Sequence, residues 1–376
     1  MHVERIELRY IQLPLKHPFE TSFGRSFRRD TIVVRVWADG VEGWGESPVE
    51  DGPWYSYETV ETAWHVQREF LVPMLLGQEV ETATQVFDRL AGVRGHNMAK
   101  TGLEEALWDV EARQKGVSVA QLLGGTRERV ASGVSIGIQD TPEELLERIE
   151  GFVKQGYRRV KIKIKPGWDV EIVRAVRRAF PDLPLMVDAN SAYRLSDAEH
   201  LAALDEFDLM MIEQPLAYDD IYEHSLLQRR LRTPLCLDES IHTPAQARAA
   251  LELGSCRIIN IKPGRVGGLM QARRIHDLCL ERGVPVWCGG LLEVGIGRAH
   301  NVAIASLPGY TLPGDISASD RYFERDVVDP PFTLNHDGTI TVPTGLGLGV
   351  EVDLEFLEHV TVRRETFTPA GAGLTG

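Results

Sequence analysis

The sequence predicts an α/β protein, a closed parallel (β/α) barrel joined to a smaller α+β capping domain. Three observations carry this. From about residue 130, short apolar runs alternate with amphipathic stretches. Residues 1–50 instead alternate apolar and polar positions, and residues 57–123 carry the periodicity of helices.

In residues 1–50, Val3, Ile6, Leu8 and Tyr10 are followed by the runs 31–37 and 41–45, a pattern that predicts an antiparallel meander of about three strands. Farther on, Leu103, Ala106, Leu107 and Val110 fall on one helical face, and Gly124-Gly125 ends the stretch. A sheet followed by helices predicts a first domain over 1–125. Seven runs then read as strands: 134–138, 159–164, 183–187, 209–212, 234–237, 258–261 and 285–288. All are apolar on both faces, as buried parallel strands must be. Helical segments such as 142–155, 170–180 and 245–253 separate them. So many βα units predict a barrel over 126–320, with a doubly wound open sheet as the alternative. Residues 321–376 revert to short alternating stretches at 332–334, 339–342 and 350–354. They are expected to leave the barrel and pack back on the first domain. The run 369–376 is expected to fray.

Composition narrows the class. The chain has 376 residues, 43% hydrophobic and 26% charged, which suits a globular protein with a real core. Its 41 basic and 55 acidic side chains leave a formal charge of −14. Such a surface repels nucleic acid and anionic lipid and argues against both as partners. An anionic small substrate stays possible, because a local cation outweighs the global field. Cys236, Cys256, Cys279 and Cys288 form no CxxC pair and are expected to be buried free thiols in a reducing compartment. The first eight residues read as a strand, not a signal peptide, and no apolar run approaches the ~18–20 residues of a membrane span. A cytoplasmic location is expected.

The chemistry lies at the strand ends. Lys163, Asp188, Glu213, Asp238 and Lys262 follow one another at steps of 25, 25, 25 and 24 residues. One βα unit has about that length, so these residues occupy nearly the same height on successive strands. In a barrel such positions converge at the C-terminal mouth, where barrel active sites lie. Three adjacent carboxylates repel one another unless a cation sits between them. Hard oxygen donors with no His or Cys beside them suit Mg²⁺ or Mn²⁺. Asp188, Glu213 and Asp238 are therefore the candidate metal ligands, and Lys163 and Lys262 the candidate acid/base pair. A lysine near a cation and partly desolvated has a lowered pKa and acts as a base. The expected reaction is removal of a proton α to a carboxylate through an enediolate. A strand-end carboxylate can also cap the following helix, but five charged groups in register exceed what capping requires.

Around this set, Lys161 contacts substrate or pairs with an acid, and Lys165 is a loop lysine. Asn190 and Glu239 orient the ligands or lysines, or cap helices. Arg265 tunes Lys262 or lies on the surface. Residues 345–349 form a turn rather than a phosphate loop, because a strand pattern and not a helix follows. The run 289–298 does join a strand to a helix, and Gly290 is either a point of close substrate approach or structural.

At this point the chain resembles the enolase superfamily, in its muconate-lactonising subgroup and the o-succinylbenzoate synthase/N-acylamino acid racemase family. The resemblance spans nearly the whole length. It rests on the Pro18–Gly24 and Val134–Ile138 stretches, Lys161-Ile-Lys-Ile-Lys165 through Asp169, Asp188-Ala-Asn190, Glu213-Gln-Pro215 and Gly295-Ile-Gly-Arg-Ala-His-Asn301. It implies a modified (β/α)7β TIM barrel, with a cap formed by both ends of the chain. It implies Lys163 and Lys262 as acid/base pair, Asp188, Glu213 and Asp238 on Mg²⁺ or Mn²⁺, and no organic cofactor. Phe19, Ser135, Gly290 and Leu291 would line the pocket for a succinyl or acyl arm, beneath a closing loop at 19–24. Trp54 and Tyr55, on a second loop, are substrate contacts or packing aromatics. Arg265 matches a position of the racemase-capable branch. The implied activity is o-succinylbenzoate synthesis, in menaquinone formation, and N-succinylamino acid racemisation on one small carboxylate site. A homo-oligomer between dimer and octamer is implied as well. Dipeptide epimerase and muconate cycloisomerase are the neighbouring alternatives, although the Asp-x-Asp signature associated with the former is missing. A non-catalytic barrel is the remote one.

Overall fold

In the computed structural model, residues 1–22 and 24–369 are described. Phe23, within the loop motif, and residues 370–376 of the tail expected to fray lie outside them. The N-terminal meander forms as β1 (Val3–Glu20), β2 (Arg25–Ala38) and β3 (Val41–Ser47). A fourth strand arrives from the far end of the chain and pairs antiparallel with β1, Ile6 facing Phe367. That strand, Thr361–Phe367, alternates half-buried and exposed residues. Its pattern is polar enough that the sequence reading passed over it.

The helix α1 (Asn97–Gln114) lies on this sheet. Gly43 and Gly45 of β3 allow the contact. A Cβ at Gly45 would sit 2.1 Å from the Gly102 carbonyl oxygen, and one at Gly43 2.3 Å from that of Ala106. The apolar face read from the sequence is buried, and so are Lys100, Glu104, Glu105 and Asp109. The reason is position: α1 also contacts barrel helices, so both its faces leave water. Its buried carboxylates are satisfied by backbone N–H groups. Glu104 accepts from Leu269 and Met270 at 2.8 and 2.9 Å, at the start of the helix Leu269–Glu281. Asp109 accepts from Trp44 and Leu348 at 3.0 and 2.9 Å.

All seven expected parallel strands are present in consecutive order: β4 (Val134–Ile136), β5 (Val160–Lys163), β6 (Leu185–Asp188), β7 (Ile212–Glu213), β8 (Leu235–Leu237), β9 (Ile258–Ile261) and β10 (Val286–Cys288). The helices between them start and stop on local signals. Pro142–Gln155 and Pro244–Leu253 each follow a threonine N-cap with proline at the first turn, and each ends on a left-handed glycine. The sheet closes through residues 310–316. Asp315 donates its N–H to the Cys288 carbonyl at 2.9 Å on one side, and Gly314 donates to Ala131 at 3.0 Å on the other. This eighth position, rich in proline and glycine, carries no strand pattern in sequence. Closure excludes the open-sheet alternative.

Beyond the barrel, Thr339–Thr341 pairs with Arg129–Ala131, and Glu351–Val352 with Val328–Asp329. The stretch 332–334 is not a strand. Residues Leu354–His359 form a short helix capped by Asp353, where the sequence read a strand reaching 354. All four cysteines are free and buried. Among the described residues no helix is long and apolar enough to cross a membrane.

Candidate active site

Strand register assembles the site. On β5, Lys161 and Lys163 share one face, while Val160 and Ile162 turn to the surrounding core. Lys163 stands beside Asp188 of β6, and Asp188 beside Glu213 of β7. Asp238 and Lys262 directly follow β8 and β9. All five are buried.

The lysines hold the carboxylates. Lys163 Nζ donates to Asp188 Oδ2 at 2.6 Å and Asn190 Oδ1 at 2.7 Å. Lys262 Nζ donates to Asp238 Oδ2 at 2.8 Å and Tyr55 Oη at 3.1 Å. Lys161 lies 2.6 Å from Asp315, 2.9 Å from Glu213 and 3.2 Å from Asp188. Of its two readings, the ion pair is the one present. Asn190 also donates to Glu239 Oε1 at 2.9 Å, joining both residues to Lys163. Arg265 is buried, not on the surface. It donates to Asp238, to the Ile241 carbonyl at 2.7 Å and to the Asn260 carbonyl at 2.5 Å. Lys165 is largely outside the set, 3.7 Å from Glu20.

One pocket brings together Lys161, Lys163, Lys262 and Asn190 with Phe19, Ser135, Gly290 and Leu291. Asp188, Glu213, Asp238, Glu239 and Arg265 stand immediately behind these groups as their partners. Sequence reading missed two buried members. Asp315, on the closing segment, holds Lys161 and accepts from Arg159 Nη1 at 2.6 Å. Asn260 donates to Glu213 Oε1 at 2.7 Å. Asn260 lies two residues before Lys262, so strand alternation alone places it on the same face. Tyr55 is a site residue, with its hydroxyl 2.9 Å from Asp238 Oδ1, whereas Trp54 is 64% exposed.

The electrostatics are those of buried carboxylates pinned by lysines and arginines. Burial, then Asp188 and Asp238, push Glu213 well above the carboxylate range, although Lys161 opposes. Burial would raise Asp188 too, but Lys163 and Lys161 hold it below the ordinary range. Burial would lower Lys262, yet the charge of Asp238 wins and raises it. Among the described residues no three acidic, His or Cys side chains close into a ligand cluster, and the three carboxylates instead pair with Lys161, Lys163, Lys262 and Arg265. The donor chemistry still fits a divalent cation: three buried carboxylates on adjacent strands, mutually repelling, with no nitrogen or sulfur donor among them.

A barrel with in-register carboxylates flanked by lysines, under a cap sheet, is a known class. Residues 5–124 match the mandelate racemase/muconate lactonizing enzyme N-terminal domain, and residues 144–356 the enolase C-terminal domain-like family. The chain therefore belongs to the mandelate racemase/muconate lactonizing enzyme family of the enolase superfamily. Members of that family are generally dependent on divalent metal. The chain is 57% identical to an o-succinylbenzoate synthase of Geobacillus kaustophilus, over 96% of each protein. It is 51% identical to an N-succinylamino acid racemase of Amycolatopsis, over 97% of this chain and 99% of that one. A solved enolase-superfamily member from Listeria innocua, 41% identical, superposes with a TM-score of 0.94 over 98% of this chain and 99% of that one.

Proposed function

We propose that the chain removes the proton α to a substrate carboxylate. It would act as o-succinylbenzoate synthase, as N-succinylamino acid racemase, or as both. The observation that carries this is the presence of two buried lysines, Lys163 and Lys262, lining one pocket and ion-paired to Asp188 and Asp238 at the ends of non-adjacent strands, with Glu213 buried between them in sequence. The relatives at 57% and 51% identity support the same pair of reactions.

Asp188, Glu213 and Asp238 would hold Mg²⁺ or Mn²⁺. The ion, when bound, supplies positive charge where the enediolate develops its negative charge. Lys163 takes the α-proton in the synthase reaction. Loss of hydroxide from the adjacent carbon then gives the aromatic product. In the racemase reaction, one of the two lysines takes the α-proton and the other returns a proton to the opposite face. Asn190 and Asp188 orient Lys163, while Tyr55 and Asp238 orient Lys262. Phe19, Ser135, Gly290 and Leu291 form the pocket for the acyl arm, and Lys161, Glu239 and Arg265 position the acidic groups. Residues 1–125 together with 321–376 would form the cap, and 126–320 the catalytic barrel. A cytoplasmic homo-oligomer is the expected state.

The test is kcat/KM on the cyclohexadiene synthase substrate and on a panel of N-succinylamino acids, with Mg²⁺ or Mn²⁺ and with Lys163→Ala as control. Turnover of either class that is lost in Lys163→Ala is the expected result. Turnover of neither, or activity indifferent to Lys163, would sink the proposal.

A further inference from the structure

The run Glu213-Gln214-Pro215 carries one side chain that the proposed reaction does not use. Gln214 follows the end of β7, is wholly buried and lies outside the pocket lining. Its φ is +36°, in the left-handed region where a residue other than glycine or asparagine is strained. Such strain persists only where the surroundings hold it. Here all four hydrogen-bonding positions of the side-chain amide are engaged. The amide oxygen accepts from the N–H of Asp238 at 3.0 Å and from that of Ser240 at 3.3 Å. The amide nitrogen donates to Ser240 Oγ at 2.6 Å and to the Ala217 carbonyl at 3.0 Å. Two backbone N–H groups at one end and a carbonyl at the other leave a single orientation of the amide. Ser240 Oγ extends the link by donating to the Asp220 carbonyl at 2.7 Å.

The main chain of Gln214 adds two bonds. Its N–H donates to the Cys236 carbonyl of β8 at 2.9 Å, and its carbonyl accepts from the Ser191 N–H at 2.8 Å. Ser191 belongs to another left-handed stretch just past Asp188, with Asn190 at φ +42° and Ser191 at +64°. One residue therefore joins the three segments that carry the three carboxylates. It follows Glu213 in the chain, it holds the backbone N–H of Asp238, and it receives the turn that leaves Asp188. Aspartate and glutamate side chains are short, so the spacing of their oxygens is set largely by where their backbones stand. A small divalent ion tolerates little error in that spacing.

We propose that Gln214 is a positioning residue for the metal site. By tying the backbone of Asp238 and the turn after Asp188 to the chain after Glu213, it sets the spacing of the three carboxylates. This rests on the metal-ligand reading above and gives a role to a residue that does not line the pocket.

Titration of the enzyme with Mn²⁺ by calorimetry, without substrate, separates this role from a merely structural one. Gln214→Met keeps the volume and removes all four side-chain bonds. Its Kd for Mn²⁺ is expected to rise about 10–100-fold, the usual effect of removing a group that orients metal ligands. Gln214→Asn separates reach from strain. Asparagine adopts left-handed backbone more readily, but its amide is one methylene too short to reach the same partners. It too should bind Mn²⁺ at least about tenfold more weakly, even where its Tm is preserved. The control is Gln228→Met. Gln228 is a buried amide that donates to the Thr233 carbonyl at 3.2 Å and accepts from the Leu235 N–H at 2.7 Å, at the opposite end of β8. This variant should lower Tm and leave the Mn²⁺ affinity unchanged. Unchanged Mn²⁺ affinity in either folded Gln214 variant overturns the inference, as does an equal loss of affinity in Gln228→Met. If neither Gln214 variant folds, Ser240→Ala removes one partner of the amide and should weaken Mn²⁺ binding by a smaller factor, and unchanged affinity there counts against Gln214. If the wild type itself binds no Mn²⁺, the assignment of Asp188, Glu213 and Asp238 as ligands has failed and the inference falls with it. Binding by the wild type confines any failure to Gln214.

Discussion

At the scale of single residues, the site depends on how each lysine is held. Lys163 and Lys262 come from the ends of β5 and β9, with three strands between them, and meet different partners, an amide at Asn190 and a phenol at Tyr55. If each serves one face of the substrate, removing one should abolish racemisation without abolishing all proton exchange. Lys262→Ala is expected to reduce racemisation by about 10²–10⁴-fold. In D₂O it should still exchange the α-proton of one enantiomer, as read by NMR. Exchange of both enantiomers at equal rates would rule out the division of labour. Asp315 has a different role, since it compensates two buried cations. Asp315→Ala strands Arg159 and Lys161 and should cost about 3–5 kcal/mol in denaturant unfolding. A loss below about 1 kcal/mol would mean that Glu213 and Asp188 suffice for Lys161.

At the scale of elements, the cap meets the barrel through a buried acid. Glu46 of β3 accepts from Thr31 Oγ1 at 2.9 Å and from the Gly297 N–H at 3.1 Å, in the first turn of the helix α2 (Gly295–Ala305). Burial raises it from 4.5 to about 7, with Arg29 opposing and Glu293 adding to the shift. A raised folded-state pKa contributes stability that is full below about 4.5 and is lost as pH climbs through about 7. The amount is on the order of 3 kcal/mol. Glu46→Gln should therefore flatten the stability-against-pH curve between those values, and parallel curves for the two proteins would remove Glu46 from the account. The elements were unevenly visible in the sequence. Strands β1 to β10 stand out because each buries a continuous or alternating apolar set. The closing segment 310–316 and the strand Thr361–Phe367 do not, because their place depends on neighbours that arrive from elsewhere. The burial of Glu104, Glu105 and Asp109 was hidden for the same reason. Helical periodicity marks one apolar face and cannot announce that a second layer covers the other.

For the whole molecule, a divalent metal held by the three buried carboxylates would add to stability. Ligands that bind only the folded state stabilise it by mass action, about 2.7 kcal/mol at roughly 100 times Kd. Mg²⁺ or Mn²⁺ is expected to raise Tm and a chelator to lower it, as followed by calorimetry. A Tm indifferent to both would remove the metal role from Asp188, Glu213 and Asp238.

The sequence by itself determined the candidate site residues and their order. Five charged residues at a spacing of one βα unit fall at successive strand ends once the strands are parallel, so Lys163, Asp188, Glu213, Asp238 and Lys262 were visible as one constellation in the sequence. Only the tertiary structure decided what surrounds them. Tyr55 reaches Asp238 across 183 residues, and Asp315 reaches Arg159 across 156. Ser135 and Arg298 likewise line one pocket from distant segments. Spacing along a chain encodes neighbours within a repeated unit. Contacts made by loop closure and by the cap depend on how the whole chain folds back, and no local pattern records them.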